Sequence, residues 1–267
     1  MADFPHLQRL LNVMRALRDP QTGCPWDREQ TMQSIIPFTI EEAYEVADAI
    51  ERGDMQDIRD ELGDLLFQVV FYTQLANEQD EFDFDAVAQG VADKLIRRHP
   101  HVFAEVNFDS VAAIKDNWEA VKQAERFEKG IAQDASILAN ITTGLPPLVR
   151  ANKLQKRCAK VGFDWPDVTQ VADKIHEELD EVMAEVQAST LNQDAIEDEV
   201  GDLLFAVVNM ARHLKVDPES ALRRANRKFE QRFRRVEQRL ADQKLSLSDA
   251  NLMQMEDAWQ WVKNQTE

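Results

Sequence analysis

A chain of 267 residues is long enough for two compact domains, each able to bury its own core. Its 49 acidic against 31 basic side chains give a formal net charge of −18, which excludes a nucleic-acid backbone as partner, since phosphate neutralisation requires clustered cations. Cys24 and Cys158 are too few for a disulfide framework and are not in Cys-x-x-Cys spacing, and no apolar run reaches spanning length, so a cytoplasmic protein with no membrane partner is expected. Glycine, proline and tyrosine are sparse and no alternating strand pattern is present, which predicts an all-α fold.

The first helix is expected over residues 6–18, on the stripe His6, Leu7, Leu10, Leu11, Met14 and Leu17, ending before the turn chemistry of Asp19-Pro20-Gln21-Thr22-Gly23. Cys24-Pro25-Trp26-Asp27 and Gln30-Thr31 then lead by way of Pro37 into a helix starting near Thr39. It carries Glu42 and Glu45, breaks at Arg52-Gly53-Asp54, and is followed by a helix carrying Glu61 and Asp64 within Glu-Leu-Gly-Asp-Leu-Leu-Phe. Further on come Lys94 with Arg98 and Trp118 with Lys122, each pair one helical turn apart. Gly130, Asn140, Gly144, Pro146 and Pro147 interrupt the pattern, although 131–141 has room for a short helix.

The second half repeats this order, which marks duplication of a whole helical unit. Domains are placed at 1–129 and 148–267 with a linker at 130–147. Ile175, Leu179, Val182 and Val186 form one apolar stripe, and Ile196, Val200, Leu203, Val207 and Leu214 another. Residues 189–194 form the turn between them, with Asp194 as expected cap of the second helix. Folding this hairpin at Thr190 sets Glu181 level with Glu199 and Glu178 level with Asp202, all four acids on the border of the stripe. Four converging carboxylates repel one another and are driven towards protonation unless a cation holds them charged. Oxygen ligands alone suit a hard divalent ion, magnesium before calcium, with manganese admissible. A solvated acidic face is the competing account for a single pair; two pairs in register, occurring twice, favour the metal. The last matched elements are Lys228 with Arg232 and Trp259 with Lys263.

Four acids and two bases in this order, twice, resemble the MazG family of nucleoside triphosphate pyrophosphohydrolases. The resemblance rests on Glu-Glu-x-x-Glu at Glu177, Glu178 and Glu181 and on Glu-x-x-Asp at Glu199 and Asp202, with Glu41, Glu42, Glu45, Glu61 and Asp64 as the first copy. Lys153-Leu154-Gln155, Val161-Gly162-Phe163-Asp164-Trp165 and Asn226-Arg227-Lys228-Phe229 add to it, and Met32 departs from it where this family often has His. The resemblance implies tandem four-helix-type domains assembled as a homodimer, and magnesium-dependent cleavage of nucleoside triphosphates to the monophosphate and pyrophosphate. In two-copy members the C-terminal copy is regarded as the working one; here Asn209 follows its Gly-Asp-Leu-Leu-Phe motif where the first copy has Phe71.

With no Gly-x-x-x-x-Gly-Lys-Ser/Thr loop, the phosphates must be held by metal and side-chain cations. Glu178, Glu181, Glu199 and Asp202 are the expected metal ligands and catalytic acids, one of them or Glu177 taking the proton of the attacking water. Lys174, Lys228 and Arg232 would meet the triphosphate charge, with Trp259 and Lys263 beside the nucleotide. The expected function is therefore nucleotide-pool housekeeping by hydrolysis of nucleoside triphosphates of broad base preference. A non-catalytic metal- and nucleotide-binding sensor would use the same acids without turnover, and a purely structural helical protein would use them as surface charge.

Overall fold

The computed structural model describes residues 4–104, 106–128 and 136–265, with the side chains at 115, 116, 119, 122, 123 and 126–128 outside the description; Lys122 is among these. Every regular element among the described residues is a helix: α1 (Pro5–Leu17), α2 (Pro25–Glu29), α3 (Met32–Arg52), α4 (Met55–Asn77), α5 (Phe84–Arg98), α6 (Pro100–Phe103) and α7 (Val111–Glu128), then α8 (Pro147–Ala159), α9 (Val168–Gln187), α10 (Gln193–His213), α11 (Pro218–Asp242) and α12 (Leu252–Asn264). The all-α fold is as expected. No described helix is long and apolar enough to cross a membrane.

Contacts divide the chain into Met1–Ile131 and Ala132–Glu267. In the first unit α3 packs along α4, with α1 and α5 against α4. Met14, Ile35, Val70, Phe71 and Leu75 form its buried core. Gly53 ends α3 in the left-handed region (φ 79°), which an L side chain adopts only under strain, and the Asp54 carboxylate then caps α4. In the second unit α9 packs along α10, α8 lies against α10 and α11, and α11 pairs with α12 around Val236, Leu240, Ala258 and Val262.

Three local expectations are corrected. Helix α3 starts at Met32, upstream of Thr39, because Thr31 and Ser34 exchange side-chain and backbone bonds in a capping box that nucleates the helix before Pro37. The cap of α10 is Asn192, whose side chain accepts from the Ala195 amide; Asp194 lies inside the first turn, where its charge favours the helix dipole. The apolar stripes are not all core: Leu179 (45% exposed), Val186 and Val207 face outward, while Glu178, placed on the stripe's border by sequence, is only 5% exposed. Residues 131–135 of the candidate short helix lie outside the described residues, and 137–140 form a turn ending on Asn140 at φ 62°.

Candidate active site

The hairpin of α9 and α10 brings the predicted acids together. Carboxylate oxygens of Glu178, Glu199 and Asp202 lie within 4.8 Å of one another, graded from buried to exposed in that order. Glu181 is exposed one turn beyond Glu178; desolvation first, and then the charges of Glu178 and Glu199, raise its pKa above the ordinary 4.5. Carboxylates held this closely are stable in their charged forms only beside a cation. The all-oxygen donor set fits a hard divalent ion.

Part of that cation role falls to Lys174. Its ammonium lies 2.7 Å from Glu178 and 2.9 Å from Glu177, one turn along α9, and the Glu178 hydrogen bond is the leading cause of its raised pKa. Lys174, Glu178 and Asp202 also line a cavity of about 360 Å³ enclosed by α8, α9, α10 and the segment after α8. Leu154, Phe163, Trp165, Val171 and Phe205 make its walls apolar and aromatic, and Gln155, Asp164, Asn209 and Arg212 supply polar groups. Leu138, from the stretch expected as a linker, completes one wall, and the neighbouring Ile137 carbonyl accepts from Arg157 at 2.8 Å.

The segment carrying Phe163 and Trp165 is tied down by Asp164. Its carboxylate receives a forked bond from Arg212, one branch at 2.9 Å, and lies 3.0 Å from His213 Nε2. The Arg212 hydrogen bond is the main cause of the lowered pKa of Asp164. A lowered carboxyl pKa contributes stability that is present above the unfolded value, here 3.8, and lost as pH falls through the folded value. Asp164→Asn is therefore expected to be less stable than the parent by about 1 kcal/mol at pH 7, the gap closing below pH ~3.8. Denaturant titrations at both pH values measure it, and a gap that persists in acid would remove the ion pair as its cause.

Lys228, Arg232, Trp259 and Lys263 do not line this cavity. Lys228 is exposed and Arg232 half-buried on α11, each preceding a ring of the stacked pair Phe229 and Phe233. Trp259 packs on Phe229 at 5.2 Å and against the α11–α12 core, and Lys263 sits in the last turn of α12. Sequence reasoning passed over Gln155, Phe163, Asp164 and Arg212 as site residues. Gln155, Phe163 and Asp164 lie in motifs that carry the family resemblance, a signal that could have found them. Their spacing does not show that they meet, since Gln155 reaches Phe205 across 50 residues and Asp164 reaches Arg212 across 48.

The N-terminal copy assembles its acids too, with oxygens of Glu42, Glu45 and Glu61 within 4.8 Å. Desolvation first, then Asp64 with its neighbours, raises the pKa of Glu42. Its surroundings differ. Four residues before Glu42, where the second copy has Lys174, stands Phe38, edge-on to Trp26. In place of Asn209 stands Phe71, fully buried among Met14, Ile35 and Leu75. Arg98 is engaged by Glu125 at 2.5 Å, Lys94 is half-buried, and Trp118 packs edge-on to His99.

Comparison with known proteins bears on both copies. The model of the MazG nucleotide pyrophosphohydrolase domain matches twice, at residues 30–103 and 167–236. The nucleoside triphosphate pyrophosphohydrolase of Escherichia coli (strain K12) is 51% identical over 259 residues, covering 97% of each chain. The nucleoside triphosphate pyrophosphohydrolase/pyrophosphatase MazG of Thermotoga maritima is 40% identical over 256 residues, covering 96% of this chain and 95% of its own. A crystal structure of a mazG-related protein from Thermotoga maritima, 26% identical, covers 43% of this chain and 98% of its own with a TM-score of 0.37, too low for that superposition to carry an argument.

Proposed function

This chain belongs to the MazG nucleotide pyrophosphohydrolase family, and on that footing we propose that its C-terminal unit hydrolyses nucleoside triphosphates to the monophosphate and pyrophosphate. The observation that carries the assignment to this unit is the cavity opening beside Glu178 and Asp202: it joins an acid cluster that suits a metal to an aromatic-walled space that suits a nucleoside. In this reading Glu178, Glu199 and Asp202 hold a magnesium ion, with manganese as the substitute and Glu181 as a further ligand or catalytic acid. When bound, the ion neutralises the carboxylates, polarises the phosphoryl group and acidifies a water.

The chain's own residues do the rest. Lys174 pairs with Glu178 at the buried end of the cluster and turns towards the phosphates once the carboxylate has another cation. Glu181 lies outside the three-oxygen cluster and is the acid placed to accept the proton of the attacking water. Lys228 and Arg232 have no ion-pair partner among the described residues, and we assign them to the triphosphate charge, with Trp259 and Lys263 beside the nucleotide. The outward apolar residues of α9 and α10, Leu179 and Val207 among them, suit a homodimer interface. Broad base preference, a cytoplasmic setting and a housekeeping role in the nucleotide pool complete the reading. For the N-terminal unit we propose metal binding without hydrolysis, since Phe38 and Phe71 stand where Lys174 and Asn209 serve the second copy.

A panel of nucleoside triphosphates, assayed for pyrophosphate against orthophosphate with and without magnesium, tests the proposal. Pyrophosphate is expected, and only with the metal. Magnesium alone should also raise the melting temperature, because a ligand that binds only the native state stabilises it. Orthophosphate as the first product would overturn the bond assignment, and metal-independent turnover would overturn the role of the acids.

A further inference from the structure

We propose that Gln155 and Asn209 are the base-reading pair of the cavity, a hydrogen-bond acceptor beside a donor whose orientations are set by the protein before any ligand arrives. The proposal rests on the reading of this cavity as the nucleotide site. Gln155 projects from α8 and is only 7% exposed. Its Nε2 donates to the Phe205 carbonyl at 2.8 Å. A carbonyl can only accept, so the amide cannot be turned round, and Oε1 is necessarily the opposite end. That oxygen is buried and has no hydrogen-bond partner among the described residues, and Gln155 is one of the residues lining the cavity. Buried acceptors in native proteins are nearly always satisfied, so an orphan at a cavity wall points to a donor on the cavity's occupant.

Asn209 is constrained in the complementary sense. Its Oδ1 accepts from Arg212 at 3.0 Å through Nε and at 2.7 Å through a terminal nitrogen. A guanidinium can only donate, so Nδ2 is the end left for a ligand. Arg212 is itself anchored on Asp164, which keeps the amide from rotating. The two residues reach the same stretch of α10 and the same cavity: Phe205, whose carbonyl receives the Gln155 donor, lies four residues, about one helical turn, before Asn209, and both Gln155 and Asn209 line the cavity. Phe163 and Trp165 offer flat apolar surface for a ring, and of the other polar lining groups Asp164 and Arg212 are engaged with each other.

An acceptor next to a donor is a pattern every common base can meet. Adenine offers its 6-amino group and N1, cytosine its 4-amino group and N3, guanine N1–H with O6, and uracil N3–H with O4. The pair would therefore admit every base while selecting weakly among them, the oxo bases turned over relative to the amino bases because their donor and acceptor stand in the opposite order. Phe71 at the matching place in the first copy has no polar atom to offer.

The test uses full-length protein with magnesium and the α,β-methylene forms of ATP, of purine riboside triphosphate, which lacks the 6-amino group, and of 1-deaza-ATP, which lacks N1. Dissociation constants come from calorimetry. The parent protein is expected to bind the ATP form about 10-fold or more tighter than either analogue, the effect of leaving one buried polar group unpaired. Gln155→Met should abolish the preference over purine riboside triphosphate and keep that over 1-deaza-ATP; Asn209→Leu should do the reverse. Equal weakening for all three ligands would assign both residues a purely structural role and overturn the proposal. Equal affinities in the parent would overturn it without any variant. Pyrophosphate release from ATP, assayed separately on the parent, tells a failure of the base pair from a failure of the enzymatic reading.

Discussion

Replacing Glu178 by Gln is expected to lower pyrophosphate release by about 10³-fold or more, the scale of removing a preorganised charge from a phosphoryl-transfer site. Glu178 is the most buried of the clustered acids and the one that borders both the cluster and the cavity. Gln has its shape but not its charge, so the substitution removes metal affinity with little change in packing. Lys174 is not stranded by it, since Glu177 remains 2.9 Å away as a second partner. The fold should therefore survive with a stability change of about 1 kcal/mol and unchanged helicity. The melting-temperature rise with magnesium, attributable to this unit, should fall away together with turnover. Glu199→Gln should behave alike. Full turnover in either variant would discredit the site. Glu61→Gln, the matching change in the first copy, should leave turnover nearly intact, and an equal loss there would mean that both copies hydrolyse.

Asn209→Phe is the second large effect, and it separates the cavity from the metal. It installs in α10 the residue that α4 carries at Phe71. In the first unit that ring is fully buried against Met14 and Ile35 and takes part in a closed core. In the second unit it would enter the cavity beside Phe205 and Gln155. The expected outcome is a loss of turnover of about 10²-fold or more, from exclusion of the nucleoside, with magnesium stabilisation retained. Arg212 loses one acceptor but keeps Asp164, so the strain of the added ring is expected to cost about 1–3 kcal/mol at most, offset in part by filling apolar space. Turnover at the parent rate would mean that the nucleotide lies elsewhere than in this cavity. The reverse change, Phe71→Asn, should create no activity, because Phe38 still stands where a lysine is needed, and should destabilise the first unit by about 3–5 kcal/mol.

Helical class, the duplication and the identity of the acids were legible in the sequence because each depends on spacing along one or two neighbouring helices. Glu178 and Asp202 are set level by a hairpin whose register the turn and the apolar periodicity determine, so their meeting follows from local rules, whereas Glu181, set level with Glu199, is not in the three-acid group. The Thr31 capping box was equally local and was passed over in favour of Pro37, although one missing amide within a helix already nucleated does not stop it. Which apolar positions are core could not be read: Leu179 and Val182 are equally apolar by pattern, yet the first is exposed and the second half-buried, because that depends on which neighbour α9 meets. The cavity is wholly a product of tertiary structure. Gln155 with the Phe205 carbonyl and Asp164 with Arg212 are joined across 50 and 48 residues. Such contacts are selected by the collective packing of α8, α9 and α10, to which no periodicity within a single segment corresponds, and so the acids were visible in the one-dimensional pattern while the space they serve was not.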